Sequence, residues 1–408
     1  MKRIIIVLLI LISMQSQAQT ANDLFDAGME FMEMTNYPQA ILHFTLCVEK
    51  SPYYYDAYLY RGICELREGD EEKAMKDYDM AIVKKPDYHQ AFYHRGLLHV
   101  QQSHLELAIH DFTKAIECFP KYIAAYRQRA YTYVSIKEYD LALDDIKEAI
   151  SFYEEDKEEN APLYFQMAEI YEMKEMNKEA FEAYSQHIKI LPDSGMAYYR
   201  RGIILETVGR YGVALEDYNA AIEKSYEDIE VLRHRVFVCM QIEEYEEAIK
   251  SLNKLLDVYK TKAVKDYFDR GMCYKKLEKY EEAITSFNKA VAYDRKYTDA
   301  YMHRADCYFR ADKMPQARRD YTNAIQIEPQ NGEIYYLRGV MYYEMENYDN
   351  ALVDLDLAVK YEPSGEHYFM RGAVKYYLGD KEGACLDLDL AIGYGHEEAE
   401  RVYSEICH

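Results

Sequence analysis

Residues 55–86 read YDAYLYRGICELREGDEEKAMKDYDMAIVKKP. Tyr58, Gly62 and Glu65 recur at three- and four-residue steps, which predicts a first helix over Tyr55 to Glu68. Gly69-Asp70 supplies a turn, and Glu71 to Lys84 predicts a second helix. Pro86 ends it, because proline lacks the N–H that a helix needs and pushes its predecessor out of the α region. Gly62 and Ala74 lack bulk, so the two backbones can approach closely, and Ala81 does the same against the next segment. One hairpin of this kind leaves an apolar face uncovered, and stacking a neighbour buries it.

The pattern recurs along the chain. Ala40, Ala74, Ala108 and Ala142 stand 34 residues apart, as do Gly28, Gly62 and Gly96, Pro52, Pro86 and Pro120, and later Pro329 and Pro363. Self-similarity at this period predicts an all-α solenoid of stacked helical hairpins. Phasing from Ala21 gives eleven windows, starting at residues 21, 55, 89, 123, 161, 195, 229, 264, 298, 332 and 365. The acidic stretch Glu154 to Asn160 lengthens one step to 38 and is read as a linker near 153–160. Repeats are expected over 21–398, followed by a C-terminal helical cap over 399–408. Only 17 Gly and 9 Pro occur in 408 residues, which excludes a turn-rich sandwich or barrel. The 49% hydrophobic content excludes wholesale disorder, and a net charge of -23 disfavours nucleic acid as a partner.

The windows resemble the tetratricopeptide repeat, whose pattern is W-x2-L-G-x2-Y, A-x3-F and a closing P. The Trp place holds Tyr58, Phe92, Tyr126, Tyr164, Tyr198, Tyr267, Tyr301, Tyr335 and Tyr368; the chain has 44 Tyr and no Trp. The small-residue place holds Gly or Ala in ten windows, with Val236 in the seventh, and the central Ala is present in all eleven. The sixth to eighth windows lack the closing Pro. The resemblance implies a right-handed superhelix whose first helices line a concave groove.

A charge pattern runs through the windows. The residue before the Gly place is Arg in nine of them: Arg61, Arg95, Arg129, Arg201, Arg235, Arg270, Arg304, Arg338 and Arg371. Three residues after the central Ala stands Asp in seven: Asp77, Asp111, Asp145, Asp217, Asp320, Asp354 and Asp387. Every window with the Asp has the Arg. An Arg–carboxylate pair across each hairpin seam is expected.

Residues that could carry chemistry are scarce, so no enzyme activity and no cofactor are expected. His89, His94, His99, His104 and His110 are spaced by five or six, not the three or four that puts metal ligands on one helix face. No phosphate-binding loop, dinucleotide fingerprint or nucleophile elbow occurs. Cys64, Cys273 and Cys307 share one repeat position, about 10 Å apart by helix-packing distances, so they are read as buried apolar residues. A single bridge between non-equivalent cysteines stays open.

Lys2-Arg3, the aliphatic run Ile4 to Ile12 and the small residues around Ala18 have the layout of a secretory signal peptide over 1–18. Export is therefore expected, to the periplasm or the inner face of an outer membrane if the source is bacterial. No integral membrane segment is expected in the mature chain.

The groove-facing places of the first helices carry Tyr93, Tyr131, Tyr199, Phe268, Met272, Phe309, Tyr336, Tyr343, Phe369 and Tyr376. Such an aromatic wall suits an extended peptide or a partner helix. The carboxylate clamp of one tetratricopeptide subclass is not carried over, since Leu59, Ile63, Tyr93, Leu97, Tyr199 and Ile203 fill its places. Residues 250–280 hold nine basic side chains against four acidic ones; Lys275 and Lys276 beside Phe268 and Met272 point to a partner with an acidic segment. Local neutralisation of acidic neighbours is the competing reading. The expected role is a non-catalytic scaffold binding a protein or peptide, with a carbohydrate- or peptidoglycan-binding module as the first rival and an enzyme with its site in the groove, for which no candidate residue stands out, as the second.

Overall fold

The structure, a computed structural model, describes residues 20–154 and 157–407. The predicted signal segment 1–18 lies outside the described residues, as do Glu155 and Asp156 of the acidic stretch and the final residue of the C-terminal cap. The chain divides into two compact units, one through Ile204 and one from Leu205. In the first unit lie α1 (Ala21–Glu33), α2 (Tyr37–Lys50), α3 (Tyr55–Arg67), α4 (Glu71–Lys84), α5 (His89–Gln101), α6 (Leu105–Cys118), α7 (Ile123–Ser135), α8 (Tyr139–Ser151), α9 (Ala161–Met173) and α10 (Asn177–Ile190). Helix α11 (Gly195–Thr207) includes the division point. The second unit continues with α12 (Tyr211–Glu223), α13 (Ile229–Gln241), α14 (Tyr245–Asn253), α15 (Val264–Lys276), α16 (Tyr280–Tyr293), α17 (Thr298–Arg310), α18 (Met314–Ile327), α19 (Gly332–Glu344), α20 (Tyr348–Tyr361), α21 (Gly365–Tyr377), α22 (Lys381–Gly393) and α23 (Ala399–Ile406). No strand occurs among the described residues, and the fold is all-α.

Odd-numbered helices from α1 to α21 start at the residues where the windows start. On either side of α11, a first helix packs on its own second helix, and that second helix packs on the next first helix. Consecutive first helices also touch, α1 with α3, α3 with α5 and α5 with α7 in one unit, α15 with α17 and α19 with α21 in the other. Each unit is thus a stack of hairpins, and these touching first helices lie side by side on one face of their unit.

Sterics explain the repeated small residues. The central alanine is fully buried in all eleven windows, from Ala40 to Ala384. A Cβ added at Gly28, Gly62, Gly96 or Gly271 would sit 2.5–2.8 Å from the ring of Phe44, Tyr78, Phe112 or Phe287, sixteen residues on. In the seventh window Val236 fills the small place, and the residue sixteen on is Leu252 rather than a ring. The same window closes on a π-helical turn, Lys254–Val258, in place of the missing proline. One residue of every hairpin turn is left-handed: glycine at Gly69, Gly209 and Gly379, and otherwise residues such as Thr35, Ser103 and Glu278. Polar side chains tolerate that conformation at modest cost, so few glycines suffice.

The Arg–Asp seam is present and does more than the sequence pattern implied. Arg61, Arg95, Arg129, Arg304, Arg338 and Arg371 each donate from Nε and Nη2 to both oxygens of the aspartate sixteen residues on, at 2.6–2.9 Å. These aspartates are buried. The remaining nitrogen, Nη1, reaches back to the preceding window's second helix: Arg61 to Thr45 at 3.2 Å, Arg304 to Asn288 at 2.8 Å and Arg338 to Thr322 at 3.1 Å. Each guanidinium also lies over the ring at its own Trp place, 5.6 Å for Arg61 over Tyr58 and 5.2 Å for Arg304 over Tyr301. One arginine therefore ties its own hairpin together and fastens it to the hairpin before. Where the aspartate is missing, Arg235 and Arg270 turn to the hydroxyls of Ser251 and Ser286 at the same spacing.

Candidate functional site

The shared face of the first helices is built from the fifth, ninth, twelfth and thirteenth residues of each window. The fifth-place aromatics are wedges more than free surface. Tyr93 is half-buried between Phe112 and Tyr122, with ring centroids 5.9 and 5.2 Å away, and burial raises its phenol pKa. Phe268 packs on Phe287, Tyr297 and His303 at 5.0–5.7 Å, with Met272 in the same cluster. Tyr336 stacks on His367 at 4.7 Å and donates its hydroxyl to Glu366; Phe369 stacks on His396 at 4.1 Å. Tyr199 is partly buried, and so is Phe309, which has the Arg310 guanidinium 5.8 Å from its ring. Tyr343 packs against Tyr348 and Tyr377.

Exposed aromatic area lies instead at the ninth, twelfth and thirteenth places. Tyr131 is 41% exposed and Tyr376 45%. Phe237 and Tyr377, absent from the sequence reading, are as open at 41% and 57%. Their places in the window were the available signal: Phe237 is at the ninth, as Tyr131 is, and Tyr377 follows Tyr376.

Much of the basic segment is already neutralised. Lys275 pairs with Asp306 at 2.6 Å, Lys254 with Glu227 at 2.6 Å, Lys250 with Glu247 at 2.5 Å and Lys265 with Asp269 at 3.2 Å. Lys276 is exposed. Asp306 sits one window beyond Lys275, so the pairing follows from stacking and was invisible within a single window.

A second set of polar side chains lines the seam between neighbouring first helices. In the fifth window Tyr184 donates its buried hydroxyl to Glu172 at 2.9 Å, and Arg200 of the next window lies 3.8 Å from the same carboxylate. In the sixth, Tyr218 donates to Glu206 at 2.6 Å, with His234 Nδ1 2.9 Å from that oxygen. In the second window Tyr78 and His94 occupy the equivalent places, but Leu66 stands where the glutamate would be. A cavity of about 350 Å³ opens there, lined by Ile63, Leu66, Arg67, Tyr78, His94, Leu97 and Gln101.

Family models for the tetratricopeptide repeat match residues 25–89, 264–297 and 332–364, segments drawn from both units. The hairpin geometry and these matches agree. The chain is a tetratricopeptide repeat protein. No curated protein matches it. Among solved structures, this tetratricopeptide repeat protein is similar to YrrB, described as a TPR protein with an unusual peptide-binding site. That match has 20% identity, covers 45% of this chain and 92% of that one, and has a TM-score of 0.40. Similarity to yeast Tom70 runs at 17% identity over 95% of this chain and 88% of that one, with a TM-score of 0.41. Pseudomonas aeruginosa pilF matches at 16% identity over 50% and 91%, with a TM-score of 0.43.

Among the described residues of this repeat protein, no group of three or more His, Cys, Asp or Glu is placed to hold a metal ion. His89 packs between Phe119 and Tyr122 at 5.0 and 4.9 Å, as an aromatic spacer. Cys64, Cys273 and Cys307 are buried, and burial pushes each thiol up to about 12. Such thiols are poor nucleophiles. One bridge forms, Cys385–Cys407, between non-equivalent positions, and it ties the region of α23 to α22. No helix of the described residues is long and apolar enough to cross a membrane.

Proposed function

We propose that the protein is a non-catalytic scaffold that binds a partner protein, as an extended peptide or a helix, along the face of its first helices. The observation that carries this reading is the side-by-side contact of consecutive first helices within each unit, beside exposed rings on those helices: Tyr131 in the first unit, and Phe237, Tyr376 and Tyr377 in the second. Exposed aromatic area on a rigid helical surface favours peptide docking, because each ring buries much area with little rotamer entropy lost. Export to an oxidising compartment accompanies the proposal; the signal-like residues 1–18 and the Cys385–Cys407 bridge support it. In a bacterium that compartment is the periplasm.

The test is capture by immobilised protein, from envelope extract and in parallel from peptidoglycan fragments. A protein retained by the natural sequence and lost from a folded Tyr131→Ala/Tyr376→Ala variant supports the reading. Retention of cell-wall fragments alone would transfer the face to the carbohydrate rival.

A further inference from the structure

Tyr78 is fully buried, yet its hydroxyl has no hydrogen-bond partner. A buried phenolic O–H without an acceptor is costly, and the great majority of such groups are satisfied. The chain itself shows what satisfies this hydroxyl elsewhere. Tyr184 and Tyr218, at the same window position, both donate to a glutamate twelve residues earlier. The residue twelve before Tyr78 is Leu66, which cannot accept.

The far side of the seam repeats the match. Arg200 and His234 approach the two glutamates from the sixth place of the following window. His94 holds that place beside Tyr78 and lines the same cavity. Its protonation behaviour fits a missing anion: burial takes His94 down to about 4, whereas His234, hydrogen-bonded to Glu206, titrates above its usual value. Arg67, the one formally charged residue of the lining, is exposed in the last turn of α3. Ile63, Leu66 and Leu97 give the remaining wall an apolar character suited to a short methylene stem.

We infer that the cavity between α3 and α5 binds the side-chain carboxylate of an aspartate or glutamate from the partner, which accepts from Tyr78 and sits beside His94 and Arg67. The ligand places its carboxylate where Glu172 and Glu206 place theirs in the fifth and sixth windows. This inference rests on the scaffold reading and names the chemistry of one anchor. It moves the acidic-partner expectation from the neutralised Lys275 region to the second and third windows.

The probe is a fluorescein-labelled nonapeptide with one central glutamate flanked by leucines, compared with its glutamine counterpart by fluorescence anisotropy. The expected result is a preference for glutamate of roughly tenfold or more, the scale of a charge-assisted hydrogen bond. Tyr78→Phe, which keeps the ring and removes only the hydroxyl, should cut the preference. Leu66→Glu recreates the internal carboxylate of the fifth window, so the cavity fills itself and glutamate binding should be lost. Far-UV circular dichroism and thermal melts check that both variants stay folded. Equal binding of the two peptides, binding of neither, or a preference that survives in folded Leu66→Glu would overturn the inference. Equal binding that Tyr131→Ala still weakens would remove the carboxylate site and leave the first-helix face standing.

Discussion

Replacing Arg338 by alanine tests the seam that holds neighbouring windows together. The guanidinium makes two bonds of 2.7 Å to Asp354, a third of 3.1 Å to Thr322, and lies 6.0 Å over the Tyr335 ring. Burial disfavours its charge, but the hydrogen bond and charge of Asp354 outweigh that, so Arg338 titrates above its usual range. The Asp354 side chain is 4% exposed against 17% for Arg338. Arg338→Ala thus strands a carboxylate with almost no access to water, at a cost of about 3–5 kcal/mol. Asp354→Ala should cost less, about 1–3 kcal/mol, because the arginine can swing outward. The double variant should cost no more than Arg338→Ala alone, giving a coupling of about 1–3 kcal/mol. Repeat arrays unfold in stretches, so urea melts should be paired with hydrogen exchange of α19 and α20 amides. Additivity within about 0.5 kcal/mol would refute the argument, since unconnected side chains behave that way.

Other perturbations have equally definite outcomes. Gly271→Ala would put a Cβ 2.5 Å from the Phe287 ring and should cost about 1–3 kcal/mol of overpacking. Gly212→Ala, with nothing within 4 Å, should instead stabilise by about 0.5–1 kcal/mol, and melts of the two variants shifting the same way would contradict this. Burial, then the charge of Asp77, lifts Glu65 from 4.5 to about 7, and its Oε2 lacks a partner. Between those values the folded chain keeps a proton that the unfolded chain releases, so this group lowers stability as pH rises through the window. Glu65→Gln should therefore be near neutral at pH about 4.5 and stabilising at pH about 8, and a pH-independent difference in Tm would count against it. The bridge Cys385–Cys407 closes a 22-residue separation, worth about 3 kcal/mol by loop entropy. Cys385→Ser should speed amide exchange in α23 while leaving α15 to α19 unchanged.

Periodicity made the hairpins legible because each window repeats the same steric demand: a small residue facing a ring or branched chain, and a fully buried alanine at the crossing. The Arg–Asp pair could be read for the same reason, as both partners belong to one window. Contacts between windows were harder. Phe268 and Tyr336 look like groove residues on their own helices, yet their rings pack on His303 and His367 of the next window. Lys275 reads as a free cation until Asp306 is brought alongside. The Tyr184–Glu172 arrangement spans twelve residues, off the repeat period, and only the helix–turn–helix geometry shows that Leu66 leaves Tyr78 without its counterpart. Even so, the back-reach of Arg338 to Thr322 had a sequence trace, since Thr45, Thr113 and Asn288 stand sixteen residues before their arginines.

Site-specific photo-crosslinking in the native host tests the central claim most directly. A photoreactive residue is placed at Tyr131, Phe237 or Tyr376 on the first-helix face, and in parallel at Leu107 or Val353, which are exposed on second helices. The account predicts one shared protein adduct from the first three positions and none from the other two. The same adduct arising from Leu107 or Val353, with Tyr131, Phe237 and Tyr376 silent, would contradict it.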